Sequence, residues 1–313
     1  MKKISLVIPV FNEAETIDHF FRLLDPELAA IKGVEFEFIF VNDGSTDSTL
    51  ELLVRRSGQD SRISVVDFSR NFGKEAALTA GIDAAQGDAV IPIDVDLQDP
   101  PELIARMIEQ WRSGAEVVCA RRIDRASDSF LKRLTASWFY RIHNSVADSE
   151  IPQNVGDFRL MDRVVVEALK QLPERRRFMK GLFAWVGFKT STIDYSRQPR
   201  IAGNSKFSGW KLWNLALEGI TSFSTVPLRI WTYIGLGVSC AAFIYMSYII
   251  LHTLMSGIAV PGYASLLAVV LFLGGIQLIG IGVLGEYIGR IYMEVKGRPT
   301  YIVNKRYRKG HSE

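Results

Sequence analysis

Two aspartates and a glutamine stand one residue apart in the run Pro92-Ile-Asp-Val-Asp-Leu-Gln-Asp-Pro-Pro101. Read as the frayed end of an apolar strand, this alternation turns Asp94, Asp96 and Gln98 toward the same side. Three oxygen donors can then meet one cation. A hard divalent ion, Mg²⁺ or Mn²⁺, prefers such donors and commonly bridges one or two carboxylates to the phosphates of a nucleotide. An Asp-x-Asp pair is a weak motif by itself and an exposed strand-end loop is the plain alternative; the apolar Ala89-Val-Ile-Pro-Ile93 before it favours the metal.

Two more acidic segments end apolar runs in the same way. Ile8-Pro-Val-Phe-Asn-Glu13 follows the first run, and Phe40-Val-Asn-Asp-Gly-Ser-Thr-Asp47 follows the second. They would set an aromatic ring and several carboxylates where a base and ribose could lie, although Asp-Gly-Ser-Thr equally suits a turn and a helix cap.

The elements that must position these residues are legible in the hydrophobic pattern. Short apolar runs at Ile4–Val10, Phe36–Val41, Ile63–Phe68 and Ala89–Ile93 alternate with helical periodicity up to about Asp194. Such alternation predicts an α/β domain around a largely parallel sheet, with ligands beyond the carboxyl ends of the strands. The clearest helix follows Pro100-Pro101, with Leu103, Ile104, Met107, Ile108 and Trp111 on one face.

The composition changes after Lys211. From Trp231 to Leu254 no Asp, Glu, Lys or Arg occurs, and as a helix this stretch reaches about 36 Å, enough to cross a hydrocarbon core of about 30 Å. A second uncharged stretch runs from Ser256 through Gly285, with Gly257, Pro261 and Gly262 marking a turn between two spans. Basic residues Arg290, Lys296, Arg298, Lys305, Arg306, Arg308 and Lys309 follow the second span and the connecting loop has none, which puts both termini in the cytoplasm. Between domain and hairpin, Phe207, Trp210, Trp213 or Asn214, Leu217 and Ile220 form an apolar stripe, read as a helix in the membrane interface over a packed domain helix. Gly274, Gly275, Gly280, Gly282 and Gly285 would let spans approach closely in a homo-oligomer. The resulting division is a catalytic domain over 1–205, interface helices over 206–228, two transmembrane helices over 229–289 and a basic cytoplasmic tail over 290–313.

Whole-chain properties narrow the function. With 37 Lys and Arg against 34 Asp and Glu, the net charge of +3 argues against a nucleic-acid partner. Cys119 and Cys240 lie in apolar runs and predict no disulfide. The N-terminal apolar run is broken by Pro9 and Asn12 and reads as a strand, not a signal peptide.

Five motifs in order carry a resemblance: Val-Ile-Pro-Val-Phe-Asn-Glu, Val-Asn-Asp-Gly-Ser-Thr-Asp, Asp-Val-Asp-Leu-Gln-Asp-Pro-Pro, Gly156-Asp-Phe-Arg-Leu160 and Arg200-Ile-Ala-Gly-Asn-Ser-Lys206. Over essentially its whole length the chain resembles family 2 inverting glycosyltransferases of the GT-A fold. It is similar in particular to polyprenyl-phosphate sugar transferases, the dolichyl-phosphate mannose synthases and the bactoprenol glucosyltransferases of O-antigen modification. The resemblance implies transfer of a sugar from a UDP-sugar, UDP-glucose first, to undecaprenyl phosphate at the bacterial inner membrane. It implies Pro9, Phe11, Glu13 and Asp43 around the nucleoside, Asp94, Asp96 and Gln98 on Mg²⁺ or Mn²⁺, and Arg121, Arg200 and Lys206 near phosphates. For Arg200 and Lys206 a membrane-surface patch remains the alternative. Asp157 matches the position often assigned as general base. A phosphate monoester acceptor has a second pKa of about 6, so Asp157 could instead orient it. No Gln-x-x-Arg-Trp occurs, which favours single transfer over processive synthesis. The alternatives are another sugar and a non-catalytic membrane sensor of UDP-sugar.

Overall fold

The computed structural model describes residues 1–123, 154–175, 177–196, 226–256 and 262–312. Arg200, Lys206 and the expected interface stripe from Phe207 to Ile220 lie outside them, as does the expected turn at Gly257 and Pro261.

Four parallel strands form the centre of the sheet: β1 (Lys2–Val10), β2 (Val34–Asn42), β3 (Ile63–Phe68) and β4 (Ala89–Pro92). Between and after them come α1 (Ala14–Ala30), α2 (Thr49–Gln59), α3 (Lys74–Ala84) and α4 (Leu103–Arg112). The chain continues through β5 (Val117–Arg122), β6 (Val155–Asp162), α5 (Arg163–Gln171), α6 (Met179–Trp185) and β7 (Thr190–Tyr195). Two long helices, α7 (Val226–Ser256) and α8 (Tyr263–Val295), precede β8 (Val303–Arg308) and β9 (His311–Ser312). The strand order is β7-β5-β6-β4-β1-β2-β3-β8-β9.

Alternation along each strand sends every second residue to an opposite layer. Leu6, Ile8, Phe38 and Phe40 pack with Ile17, Phe20, Leu53, Ile104 and Met107 beneath α1, α2 and α4. Val7, Ile39 and Val41 pack with Leu78, Val165 and Met179 beneath α3, α5 and α6. Both faces of the sheet are therefore covered, as buried parallel strands require. Gly81 marks how closely α3 approaches, since a Cβ there would lie 2.2 Å from Val7 Cγ1.

The sheet is mostly parallel at its centre, as the sequence reading has it, and two arrangements add to that reading. Beyond β4 the sheet turns mixed: β6 runs antiparallel to both β4 and β5, while β7 is parallel to β5. The segment read as a basic tail also returns to the domain, where β8 pairs antiparallel with β3 from Ser64 to Phe68. Lys305, Arg306 and Arg308 outnumber Val303 and Tyr307 along it, which hides it from an apolar-run search.

The hairpin helices carry outward apolar rows, including Phe243, Ile244, Leu251, Leu266, Phe272 and Leu278. Such a surface marks a contact with lipid or with another apolar surface. Among the described residues one stretch, Phe272–Val295, is long and apolar enough to cross a membrane. Gly280 faces Trp231 across the pair, its notional Cβ 3.6 Å from the indole ring. Cys119 is buried, Cys240 is exposed, and both are free.

Candidate active site

At the carboxyl ends of β1, β2 and β4 the backbone leaves the sheet in three successive loops. Strands β1 and β2 end in register, with Pro9 opposite Val41 and Val10 opposite Asn42, and the Asp43 amide donates to the Val10 carbonyl at 2.9 Å. The β1 loop then turns at Asn12, φ +55°, a left-handed conformation that Asn tolerates. Its side chain accepts from the Thr46 amide at 2.8 Å, and its own amide donates to Ser45 Oγ at 2.9 Å. Glu13 caps the start of α1, its amide donating to Thr49 Oγ1 at 2.9 Å and its carboxylate accepting from Thr16 Oγ1 at 3.1 Å. Pro9, Phe11, Glu13 and Asp43 thus share one edge of the sheet.

Asp43 is 4 % exposed and accepts from the backbone amides of Phe72 and Gly73 at 2.6 and 2.9 Å. Burial pushes its carboxyl up against the lowering effect of those two amides. Gly44 is required beside it: φ is +68°, and a Cβ would lie 2.5 Å from the carbonyl carbon of Arg70. Asp43 thereby holds the loop that delivers Lys74 to the first turn of α3.

Lys74 is the centre of the site and went unnoticed in the sequence. Its ammonium contacts both oxygens of Asp94, at 2.7 and 2.8 Å, and Asp157 Oδ2 at 3.1 Å. The two carboxylates meet because β6 runs antiparallel to β4. Ala89 pairs with Asp162 and Val90 with Met161, so the segment after β4 and the start of β6, which carries Asp157, lie at the same end of the sheet. Burial pushes the lysine down, but Asp94 and Asp157 outweigh it and hold the ammonium charged well above its ordinary range. Burial likewise pushes Asp157 up, but Lys74, Lys180 and Arg159 prevail and its carboxyl sits below the usual range. Among the described residues Asp157 Oδ1 is buried without a hydrogen-bond partner. Arg159 lies beneath, buried, donating to the Gly156 carbonyl at 2.7 Å and stacked over the Phe183 ring at 4.1 Å.

The Asp94-to-Gln98 segment is a turn, not the alternating strand end of the sequence reading. Strand β4 stops at Pro92, the Leu97 amide donates to the Asp94 carbonyl at 3.2 Å, and Leu97 has φ +46°. A proline cannot donate to the ladder, and the buried Leu97 holds the left-handed turn. Within it Gln98 Nε2 donates to Asp96 Oδ2 at 2.7 Å, so these two share one locus while Asp94 faces Lys74. Among the described residues no group of three or more His, Cys, Asp or Glu is gathered as a metal cage. Two carboxylates and an amide, all hard donors, fit a cation that takes its remaining ligands from phosphates and water.

Arg121 stands apart. It forms a paired contact with Asp194 at 2.7 and 2.9 Å on the exposed β5–β7 edge, and no described contact joins it to Asp43 or Asp94.

A family model described as "Glycosyl transferase family 2" matches residues 5–170, and one described as "GtrB C-terminal hairpin" matches 226–291. The chain belongs to glycosyl transferase family 2. This glycosyltransferase is 58 % identical over 306 residues to the SfII prophage-derived bactoprenol glucosyl transferase of Shigella flexneri, covering 98 % of this chain and 99 % of that one. It is 59 % identical over 303 residues to the prophage bactoprenol glucosyl transferase homolog of Escherichia coli K12, covering 97 % and 99 %. Among solved structures, glucosyl-3-phosphoglycerate synthase from Mycobacterium tuberculosis, in complex with Mn²⁺, UDP-glucose and phosphoglyceric acid, aligns over 70 % of this chain and 78 % of that one. The TM-score is 0.50 at 21 % identity, a likeness of fold. The glycosyltransferase domain is thus GT-A-like, and the match through residue 291 extends the kinship into the helical hairpin.

Proposed function

We propose that this glycosyltransferase moves glucose from UDP-glucose to undecaprenyl phosphate at the cytoplasmic face of the bacterial inner membrane, inverting the anomeric centre, in the modification of O-antigen or another surface glycan. The reading rests on one observation above others: the likeness to bactoprenol glucosyl transferases runs the full length of the chain, helical hairpin included.

In this reading the loops after β1 and β2 receive the nucleoside, with Pro9 and Phe11 against the base and Glu13 and Asp43 toward ribose. Asp94, Asp96 and Gln98 would hold Mg²⁺ or Mn²⁺, which when bound neutralises the donor diphosphate as a Lewis acid. A Mn²⁺ ion and UDP-glucose in the similarly folded synthase support that assignment. An oxygen of the lipid phosphate attacks the anomeric carbon from the face opposite UDP, the new C–O bond forms as the bond to the diphosphate breaks, and UDP leaves with the electron pair. Asp157, ionised and with one oxygen unpartnered, orients the acceptor or takes its proton when the phosphate arrives monoprotonated. Lys74 fixes Asp157 and Asp94 relative to each other. Arg200 and Lys206, and Arg121 if freed from Asp194, supply cations for the phosphates.

The pairing of β8 with β3 supports a hairpin that leaves and re-enters one compartment, because residues on both sides of it share a sheet. The basic residues after α8 favour the cytoplasm. The test is a membrane assay with a panel of labelled UDP-sugars and undecaprenyl phosphate, followed by lipid extraction. UDP-glucose should give the lipid-linked sugar; a lipid product from a different UDP-sugar alone, or from none, overturns the assignment.

A further inference from the structure

Beyond α8 the chain does more than close the sheet. Lys305 opposes Asp67 and Val303 opposes Phe68, which leaves Asn304 as the extra residue of a β-bulge. Bulges re-aim side chains. Here Asn304 Nδ2 donates to Asp67 Oδ2 at 2.9 Å, and the other oxygen of Asp67 accepts from Asn42 Nδ2 at 2.7 Å. Asp67 and Asn42 are 4 % and 1 % exposed. With both amides donating to Asp67, Asn42 Oδ1 is left to accept from the Ser45 amide at 3.4 Å. Ser45 Oγ in turn takes the Asn12 amide, and Asn12 takes that of Thr46. A continuous polar chain therefore runs from the strand after the hairpin across the ends of β3, β2 and β1 into the loops that carry Asp43, Phe11 and Glu13. The strand is held independently of it: Tyr301 stacks on Phe68 at 5.1 Å and donates to Asp83 at 2.9 Å, and the Ser69 amide donates to the Ile302 carbonyl at 3.1 Å.

We propose that Asn304 is a positioning residue for the nucleotide-binding loops, acting through Asp67 and Asn42, so that the strand following the hairpin sets the affinity for the nucleoside diphosphate. The proposal rests on the assignment of those loops to UDP-glucose. Asn304→Asp places a carboxylate against that of Asp67 while the Tyr301 and Ile302 contacts keep the strand in place. Asp67→Asn combined with Asn304→Asp exchanges the partners: the amide introduced at position 67 donates to the carboxylate introduced at position 304, and its carbonyl still accepts from Asn42.

Full-length enzyme in membranes is assayed for KM toward UDP-glucose and toward undecaprenyl phosphate, with Asp43→Ala alongside. Asn304→Asp should raise KM for UDP-glucose about tenfold, leave kcat and the lipid KM within about twofold, and be restored by the exchanged pair. An unchanged UDP-glucose KM in Asn304→Asp, with a raised one in Asp43→Ala, overturns the coupling alone. Loss of kcat and both KM values together, without rescue by the exchanged pair, means a structural role and overturns it equally. An unchanged KM in Asp43→Ala removes the nucleotide assignment and the proposal with it.

Discussion

Replacing Lys74 by Met keeps the stem and the helix propensity of α3 while deleting the charge that, among the described residues, joins Asp94 to Asp157. Breaking a buried pair costs about 3–5 kcal/mol and an exposed one about 0–1. Lys74 and Asp157 side chains are 45 % and 18 % exposed, so the loss falls between, at about 2–3 kcal/mol. If the ammonium positions both carboxylates for transfer, kcat/KM falls roughly 30- to 150-fold. Asp157 also loses the leading cation that opposes its burial, so its pKa rises and the acid limb of the pH–rate profile moves to higher pH. The assay is single-turnover transfer of labelled glucose from UDP-glucose to undecaprenyl phosphate in detergent-purified enzyme from about pH 3 to 8, a span that takes in the ordinary carboxyl range at about 4 and the rise expected of the variant. A Lys74→Met enzyme within about threefold of wild type, with its acid limb unmoved, would refute the bridging role.

Asp94→Ala and Asp96→Ala should each abolish both transfer and its dependence on added Mg²⁺ or Mn²⁺, while Gln98→Ala, replaceable by water, loses less; full activity of either aspartate variant across a metal titration removes the site from the mechanism. Burial and the nearby Asp157 raise Glu75 from 4.5 to about 7. The folded chain thus holds a proton that the unfolded chain gives up, a contribution present below about pH 4.5 and lost as pH rises through 7. Glu75→Gln, still able to accept from the Met179 amide, should therefore flatten the fall in stability between about pH 5 and 8, by at most about 3 kcal/mol; equal melting shifts in both proteins would contradict this. Arg200→Lys keeps its charge but loses the planar fork, and should stay membrane-bound with turnover down at least about tenfold, roughly 1.4 kcal/mol; wild-type turnover would leave only a headgroup contact.

What the sequence revealed follows its strongest periodicities. Strand β3 falls on its expected bounds, and the face of Leu103, Ile104, Met107, Ile108 and Trp111 is the buried face of α4. The two segments that carry Pro9, Phe11, Glu13 and Asp43 were legible because two apolar runs end in polar residues, and the resemblance named the four residues within them. Lys74 was not, since a lysine in the first turn of a helix reads as solvated and its importance comes from β6, whose antiparallel register has no local signature. The Asp94–Gln98 turn was misread because period two fits both a strand end and a tight turn; Leu97 in a left-handed conformation decides for the turn. Arg121 was implied by the family resemblance alone, and its paired bonds to Asp194 depend on the parallel placement of β7, which no local spacing encodes.

The hairpin is an insertion into the catalytic sheet, and this predicts how the protein fails when cut. The chain leaves the sheet after β7 and returns to β3 through β8, and on the way the carboxylate of Glu294 near the end of α8 accepts from the Arg175 amide at 3.1 and 3.2 Å. Arg175 also donates to the Arg298 carbonyl at 3.0 Å. A chain ending at residue 225 retains every glycosyltransferase motif named above, from Pro9 to Lys206, and so looks like a complete soluble enzyme. It would lack β8 and β9, however, exposing the backbone edge of β3 from Ser64 to Phe68 and the ring of Phe68 that Tyr301 covers. Unpaired edges of this kind recruit other strands. Such a truncation is expected to self-associate and to lose UDP binding, whereas joining residues 296–313 to it by a flexible linker should recover both solubility and binding. Size-exclusion chromatography and UDP titration of the two forms decide the matter: a monomeric truncated chain that binds UDP as the full enzyme does would show that the returning strand is dispensable to the site.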